Sequence, residues 1–401
     1  MTHFSHKRRH FLKTAACTAS SLLGTQVSLL SLFAREQEEP VKIGYLPITD
    51  ATPLLVAHGK GYFKDEGLKT ERPTMIRSWS ALSESFFAGK FNLTHMLFPM
   101  PVWMRYNNRT PVKVIAWNHL NGSAITVGHD SGIERFADLG GKQIAVPYWY
   151  SMHNIILQMG IRRMGLTPVI RPQSSPLKKN EVNLFILPPP DMPLALAGRK
   201  IDGYIVAEPF NAIGEVKVKA RIMRFVGDIW KNHPCCVVVM KEQLIHDRPV
   251  FTQKVASALV RAQKWITDHP LETARLLSRE GDRYLPVPED VLKRVFTFYD
   301  PAYYSRGTSS PAIKHPEWGI RRIGFQPYPF PSATRFIVEE MRHTVVEGDS
   351  GFLKSLDTDH VVGDLVDDRF VKKAVEQLGG PGIFGELSLT DPWLREEVIS
   401  I

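Results

Sequence analysis

Val41-Lys42-Ile43-Gly44-Tyr45-Leu46 alternates apolar residues with small or polar ones and then breaks at Pro47, which reads as a short strand running into a loop. Thr49 or Asp50 then offers a helix cap, Pro53 suits a first turn, and Leu54, Leu55, Val56 and Ala57 supply an apolar side. Gly59, Gly61 and Gly67 end that helix, with Tyr62 and Phe63 packing beneath it. A strand, loop and helix in this order set helix N–H groups at the mouth of a sheet, where they can hold an anion or a polar ligand. The pattern recurs. Further strands are expected at 112–117, 123–128, 143–147, 182–187, 201–206 and 236–240, with helices at 153–164, 194–198 and 250–269. Such alternation predicts an α/β chain built on mainly parallel sheets. From about residue 286 the sequence turns rich in Pro and aromatic residues and then helical, which suggests a tail packed onto one lobe.

At the N-terminus, Arg8-Arg9-His10-Phe11-Leu12-Lys13 resembles the twin-arginine export signal, with Lys7 where a Ser is usual. Residues 14–34 are apolar or small and carry neither acid nor base, so 1–35 is expected to be a signal peptide leading to the periplasm. An uncleaved leader acting as a membrane anchor is the alternative, because the stretch is about long enough to span. The net charge of +9 includes Lys7, Arg8, Arg9, Lys13 and Arg35, and subtracting those five leaves +4 from Glu36 onward. That balance, without any Lys/Arg run, argues against a nucleic-acid partner. Cys17 lies in the leader and lacks the Leu that usually precedes a lipid-modified Cys. Cys235 and Cys236 are adjacent, and Cα atoms about 3.8 Å apart sit below the usual disulfide span. No disulfide framework is implied. The remaining chain is long enough for a two-lobed body.

Several stretches together resemble one family. They are Ile43-Gly44-Tyr45-Leu46-Pro47-Ile48-Thr49-Asp50-Ala51-Thr52-Pro53-Leu54, Gly59-Lys60-Gly61-Tyr62-Phe63-Lys64 and His95-Met96-Leu97-Phe98-Pro99-Met100-Pro101. Leu120-Asn121-Gly122-Ser123-Ala124-Ile125-Thr126-Val127, Pro188-Pro189-Pro190-Asp191-Met192, Glu208-Pro209-Phe210-Asn211-Ala212 and Ile229-Trp230-Lys231-Asn232-His233-Pro234 follow in order. The set resembles the periplasmic nitrate- and bicarbonate-binding components of ABC importers, within the wider nitrate/sulfonate/taurine group, and 368–379 resembles that family's late helix. The resemblance implies a type II periplasmic binding protein, with two doubly wound lobes joined by a hinge and a ligand cleft between them. The strand reading puts the crossings near 120–125 and 234–240. Lobe I is then 36–122 and 236–401, the latter with a C-terminal helical extension, and lobe II is 123–235. Such a protein captures a small anionic or polar solute and delivers it to an inner-membrane permease. It acts as a monomer, holds no cofactor and catalyses nothing, since ligand affinity selects a closed form that the permease recognises.

The resemblance also points to site residues. Trp79, in Ser78-Trp79-Ser80, matches a ligand-loop tryptophan whose indole N–H can only donate; from the residues alone it is as well a core or rim aromatic. Ser123 follows Asn121-Gly122, where nitrate binders resemble a Gln; it is otherwise an ordinary strand-start serine. His153 resembles the ligand histidine at a helix start, where a neutral ring donating one N–H suits the helix dipole, unless it merely caps or packs. Cys236 stands where nitrate binders resemble a Lys and bicarbonate binders an acid beside calcium. Without that Lys an anion in the cleft lacks a charge-assisted bond of about 1.5–3 kcal/mol, roughly ten- to a hundredfold in affinity. A neutral or larger solute with an apolar portion is therefore expected. Glu208 either lines the cleft or fixes the hinge, Thr49 and Asp50 face the cleft mouth or cap a helix, and Pro99, with Met100 and Pro101, stiffens the wall.

Other classes of function fit the residues less well. Cys236 with His153 is a conceivable thiolate–imidazole pair for nucleophilic catalysis, and the wider superfamily includes a fungal pyrimidine-forming protein that consumes its own histidine. No nucleophile motif accompanies the pair. A metal or metal-complex binder would use Cys235, Cys236 and His233, but neighbouring strand residues point to opposite faces, so no metal site is expected. A ligand sensor with a cytoplasmic partner conflicts with the export signal.

Overall fold

The computed structural model describes residues 39–385 and 391–401, so the expected twin-arginine signal, its cleavage and Cys17 lie outside the described residues. Val41–Ile401 forms one compact unit, and the architecture below is that unit's. The chain makes strands β1 (Ile43–Tyr45), β2 (Thr74–Met75), β3 (Leu93–Leu97), β4 (Val112–Trp117), β5 (Leu120–Asn121) and β6 (Ser123–Val127). Then come β7 (Gln143–Val146), β8 (Thr167–Val169), β9 (Glu181–Ile186), β10 (Gly203–Ala207), β11 (Arg221–Phe225), β12 (Cys236–Lys241) and β13 (Ile323–Gly324). Two sheets carry the fold, one ordered β2-β1-β3-β12-β4 and the other β11-β6-β10-β7-β9-β8. β3, β6 and β10 are buried along their whole length, as expected of strands covered on both faces.

The sheets are mixed, which corrects the expectation of mainly parallel pairing. β12 runs antiparallel to both β3 and β4, and β6 runs antiparallel to both β10 and β11, while the other pairings within the two sheets are parallel. The two exceptions share a cause. Each is the strand by which the chain enters a sheet directly from the other one, without a helix returning it over its own sheet, so it arrives running against its neighbours.

The first passage runs from the end of β4 through β5 into β6, and the second covers residues 226–235 between β11 and β12. Asn121 and Gly122 both take left-handed backbone, with φ of 58° and 74°. Asn tolerates that region and Gly enters it freely. A Cβ at Gly122 would stand 3.1 Å from Ile323 Cγ1 and 3.2 Å from His119 Nδ1, so the crossing is also tightly packed there.

The tail does not pack onto one lobe, as its composition suggested; it straps both sheets. Helix Glu289–Thr297 packs on helix Phe210–Val218, and Tyr304 and Ala312 join Ala124, Ile222 and Phe225 in a small core beside the six-stranded sheet. β13 then pairs with β5 on the crossing, and helices Thr358–Leu365 and Arg369–Leu378 pack against β4 of the five-stranded sheet. Pro and aromatic residues in this region form a strap because their contacts lie far away in sequence, where local composition carries no address. No helix among the described residues is long and apolar enough to cross a membrane.

Candidate functional site

The loop leaving β1 delivers Asp50. Thr49–Ala51 forms a single 3-10 turn, and helix Thr52–Gly59 begins after it without any side-chain cap. Neither Thr49 nor Asp50 caps, which corrects one of the two roles open to them. Thr49 donates its backbone N–H and its Oγ1 to the carbonyl of Glu208, at 2.8 and 3.1 Å. The Asp50 carboxylate turns inward instead. Its Oδ2 lies 2.9 Å from His119 Nε2, 3.1 Å from Cys236 Sγ and 3.6 Å from Cys235 Sγ, and all four side chains are buried. Asn118 holds the loop by donating its amide to the Asp50 backbone carbonyl.

Both cysteines therefore reach one carboxylate, contrary to the expectation that they point to opposite faces. The alternation rule covers residues within a strand, and β12 begins only at Cys236. Cys235 sits before it, behind Pro234, and is free to turn its sulfur to the same side. His233 is buried as well but is not among the converging donors.

The six-stranded sheet supplies the facing half. Ser123 opens β6, and its Oγ lies 2.9 Å from His153 Nε2. His153 occupies the first turn of helix Met152–Arg163, which Ser151 caps by accepting the Asn154 N–H at 3.0 Å. Cys235 Sγ stands 3.8 Å from Ser123 Oγ and 3.9 Å from His153 Nε2. This sulfur is thus where side chains of the two sheets meet. Of the expected residues, Asp50, Ser123, His153 and Cys236 come together here.

The others sit around this group or apart from it. Trp79 starts helix Trp79–Phe87 behind the Ser78 cap, is 2 % exposed, stacks edge-on to His95 at 5.5 Å, and leaves its indole N–H without a partner. His95 accepts the Leu46 N–H at 3.1 Å through Nε2. Pro99 is buried at the start of a short helical turn. Glu208 does not face the cluster. It takes the Nε of Arg322 at 2.6 Å and the backbone N–H of Ala212 at 3.0 Å, so its side chain belongs to the strap. A surface hollow of about 820 Å³, lined by residues including Arg135, Phe136, Pro301 and Lys314, contains none of the expected residues.

Sequence reasoning missed His119, His95 and the participation of Cys235. A signal existed for the first. Asn118-His119 is a polar pair set between the apolar runs of β4 and β6, and both residues are fully buried. Buried polar pairs at a chain crossing need partners, and here the partner is Asp50.

Burial pulls His119 down, yet the facing Asp50 carboxylate outweighs it and pushes the imidazole up to about 10. Burial raises Asp50, against the opposing pull of His119. For Cys235, burial pushes the thiol up, but the hydrogen bond with Cys236 and the imidazoles of His153 and His119 hold it well below the ordinary thiol range. Burial, the neighbouring Cys235 and Asp50 push Cys236 well above it. Burial also pulls His95 down to about 3, which leaves a neutral ring able to accept from Leu46. The group thus offers a hydroxyl–imidazole donor side and an acceptor side of carboxylate and sulfur.

A model of the NMT1-like family matches residues 34–278. The nitrate/nitrite binding protein NrtA of Nostoc sp. (strain PCC 7120) is 26% identical over 306 residues, 66% of this chain and 67% of that protein. The bicarbonate transport ATP-binding protein CmpC of Synechocystis sp. (strain PCC 6803) is 27% identical over 256 residues, 59% of this chain but only 37% of its own length. Among solved structures, the periplasmic nitrate-binding protein NrtA from Synechocystis PCC 6803 superposes with a TM-score of 0.70 at 18% identity, covering 86% of this chain and 90% of that one. The shared architecture is that of a periplasmic binding protein, as the resemblance implied.

Proposed function

The chain belongs to the NMT1-like family, and from that membership we propose that it is the solute-binding component of an ABC import system. The observation that carries the reading is the meeting of Ser123 and His153 from one sheet with Asp50, His119 and Cys236 from the other, around Cys235. A polar cluster buried between two sheets that only a few passages connect suits a solute held on closure and released on opening. Lobe I would comprise 36–122 and 236–401, its tail reaching across onto lobe II, 123–235. The closed form would be presented to a membrane permease by a monomer exported to the periplasm through the twin-arginine route. Trp79 and Pro99 would shape the wall, with the unpartnered indole N–H available to an oxygen of the solute.

The solute we favour is neutral or larger than nitrate. The position expected to carry a fixed cation is Cys236, and its sulfur lies 3.1 Å from the Asp50 carboxylate, so a small bare anion meets an acceptor where it needs a fixed cation. Catalysis by Cys235 or Cys236 is not required, because nothing in the group resembles a completed nucleophile, base and oxyanion arrangement.

Mass spectrometry of the exported protein under native and then denaturing conditions tests the reading. A small molecule released only on denaturation, from a chain whose first residue lies near Glu36, is the expected result. Submicromolar nitrate binding by titration calorimetry would refute the solute class, and an exported chain that keeps residues 1–35 would refute cleavage of the leader.

A further inference from the structure

Asp50, His119, Cys235 and Cys236 each aim one ligand atom into a common space, with all of these atoms within 4.8 Å of one another. The three contacts that Asp50 makes within this group come close to the spacing of a coordination shell. A tetrahedral zinc site with bonds of about 2.0–2.3 Å has ligand–ligand edges of about 3.3–3.8 Å. Asp50 Oδ2 lies 2.9 Å from His119 Nε2, 3.1 Å from Cys236 Sγ and 3.6 Å from Cys235 Sγ, so a small outward relaxation reaches that shell. The group is fully buried, and its described polar partners are each other, Ser123, His153, Asn118 and a backbone N–H. None of these is a lysine or arginine. Asp50 Oδ1 has no partner at all, although the residue is completely buried. In the metal-free chain the His119 ring is the partner of Oδ2, but Oδ1 is left without one, and a buried carboxylate oxygen normally has one.

We propose that the floor of the solute site binds a thiophilic, tetrahedrally coordinated divalent cation of the zinc class through Asp50 Oδ2, His119 Nε2, Cys235 Sγ and Cys236 Sγ. The proposal rests on the solute-binding reading for access, since the ions must enter when the two sheets part. Two sulfurs, one imidazole and one carboxylate select against calcium and magnesium, which take six or more oxygen ligands or a hydrated octahedron. Coordination replaces the thiol and imidazole protons, which pass to solvent, by bonds to the metal. Asn118 fixes the Asp50 loop through its backbone carbonyl, and Ser123 with His153 abut the Cys235 sulfur, so the ligands are already held in place by their neighbours.

The full exported chain, stripped with chelator and dialysed against zinc or cobalt(II), provides the test. One metal ion per chain is expected, and cobalt should give sulfur-to-metal charge-transfer absorption with the intense visible bands of tetrahedral geometry. Cys236→Ser should remove much of the charge-transfer intensity. Changes of neighbouring groups already cost metal sites about 10–100-fold in affinity, so Asp50→Asn, which keeps the side chain's size, should weaken binding at least that much. His246→Ala, a surface change remote in role, should alter nothing. Thermal melts identify any variant that fails to fold, and Asp50→Asn then stands in for Cys236→Ser. Absence of bound metal, or a cobalt spectrum that survives both variants, overturns the proposal. If an organic solute is released from a metal-free protein, the metal site fails while the binder reading stands. A protein that takes up metal while its scattering shows no lobe separation keeps the ligand set but refutes entry through the cleft, and with it the binder reading.

Discussion

His119 and Asp50 form the best-defined charge pair of the site, and its protonation gives a direct handle on stability. The ring is pushed up to about 10 when folded, against an ordinary value of about 6.5 in the unfolded chain. A raised folded value means the native state binds the proton more tightly, so its contribution is complete below about pH 6.5 and is lost as pH climbs through about 10. With chelator present and no solute, the melting temperature of His119→Gln should fall furthest below that of the native chain near pH 6, with the gap closing towards pH 10. A gap that widens with pH would show that the ring is neutral in the folded protein. At this scale the sequence was readable wherever a residue sits at an element's start. Ser123 and His153 open a strand and a helix, and the structure brings them within 2.9 Å. Asp50 was legible as a cleft-mouth residue but not as the centre of the cluster, because its partners come from 69 and 186 positions downstream. Local pattern contains no record of such meetings.

Elements were easier to read than their orientations. β4, β6, β7, β10 and β12 are apolar runs bounded by Gly, Pro or polar residues, and such boundaries are local chemistry. The direction in which β6 and β12 run is decided by the crossing that feeds them, and the placement of the tail by contacts made across hundreds of residues. Arg322 shows what that strap is for. It is 2 % exposed, and its guanidinium lies 2.5 Å from Glu208 and 3.0 Å from Glu215 just ahead of β13. Glu208 meanwhile offers its carbonyl to Thr49 and takes its own N–H to Gly122, so one residue joins strap, crossing and the Asp50 loop. Replacing Arg322 by Met strands the buried Glu208 carboxylate, while Glu215 keeps Arg294 and Tyr304, and breaking a buried pair in this one-sided way typically costs about 3–5 kcal/mol. Urea unfolding should show a loss of that order for Arg322→Met. The double change Arg322→Met with Glu208→Gln should recover part of it, because the stranded charge is then gone. Equal losses in the single and double variants would mean that the pair is not coupled.

For the molecule as a whole, the decisive fact is that the site is shut. Asp50, Cys235 and Cys236 are fully buried, and Ser123 and His153 are 2 % and 1 % exposed, so on the proposed reading a solute enters only when the sheets part. The passages at 118–122 and 226–235 and the strap through β13 are the places able to absorb that motion, and the first already holds two left-handed residues. Closure should therefore be visible in solution. X-ray scattering of the chain stripped of solute should give a larger radius of gyration than the chain as exported, and adding back the released solute should restore the smaller value. Gly122→Ala probes the hinge without touching the solute. Its methyl group faces Ile323 and His119 at 3.1 and 3.2 Å, and the left-handed backbone penalises any side chain by about 1–2 kcal/mol. If that strain falls more heavily on the closed form, affinity drops by about five- to thirtyfold, because a ligand binding only the closed state sees its population directly. The scattering of the solute-free variant should then match the open form. Identical profiles for the stripped and loaded native protein would remove closure from the mechanism, and with it the reason for placing the site between two sheets.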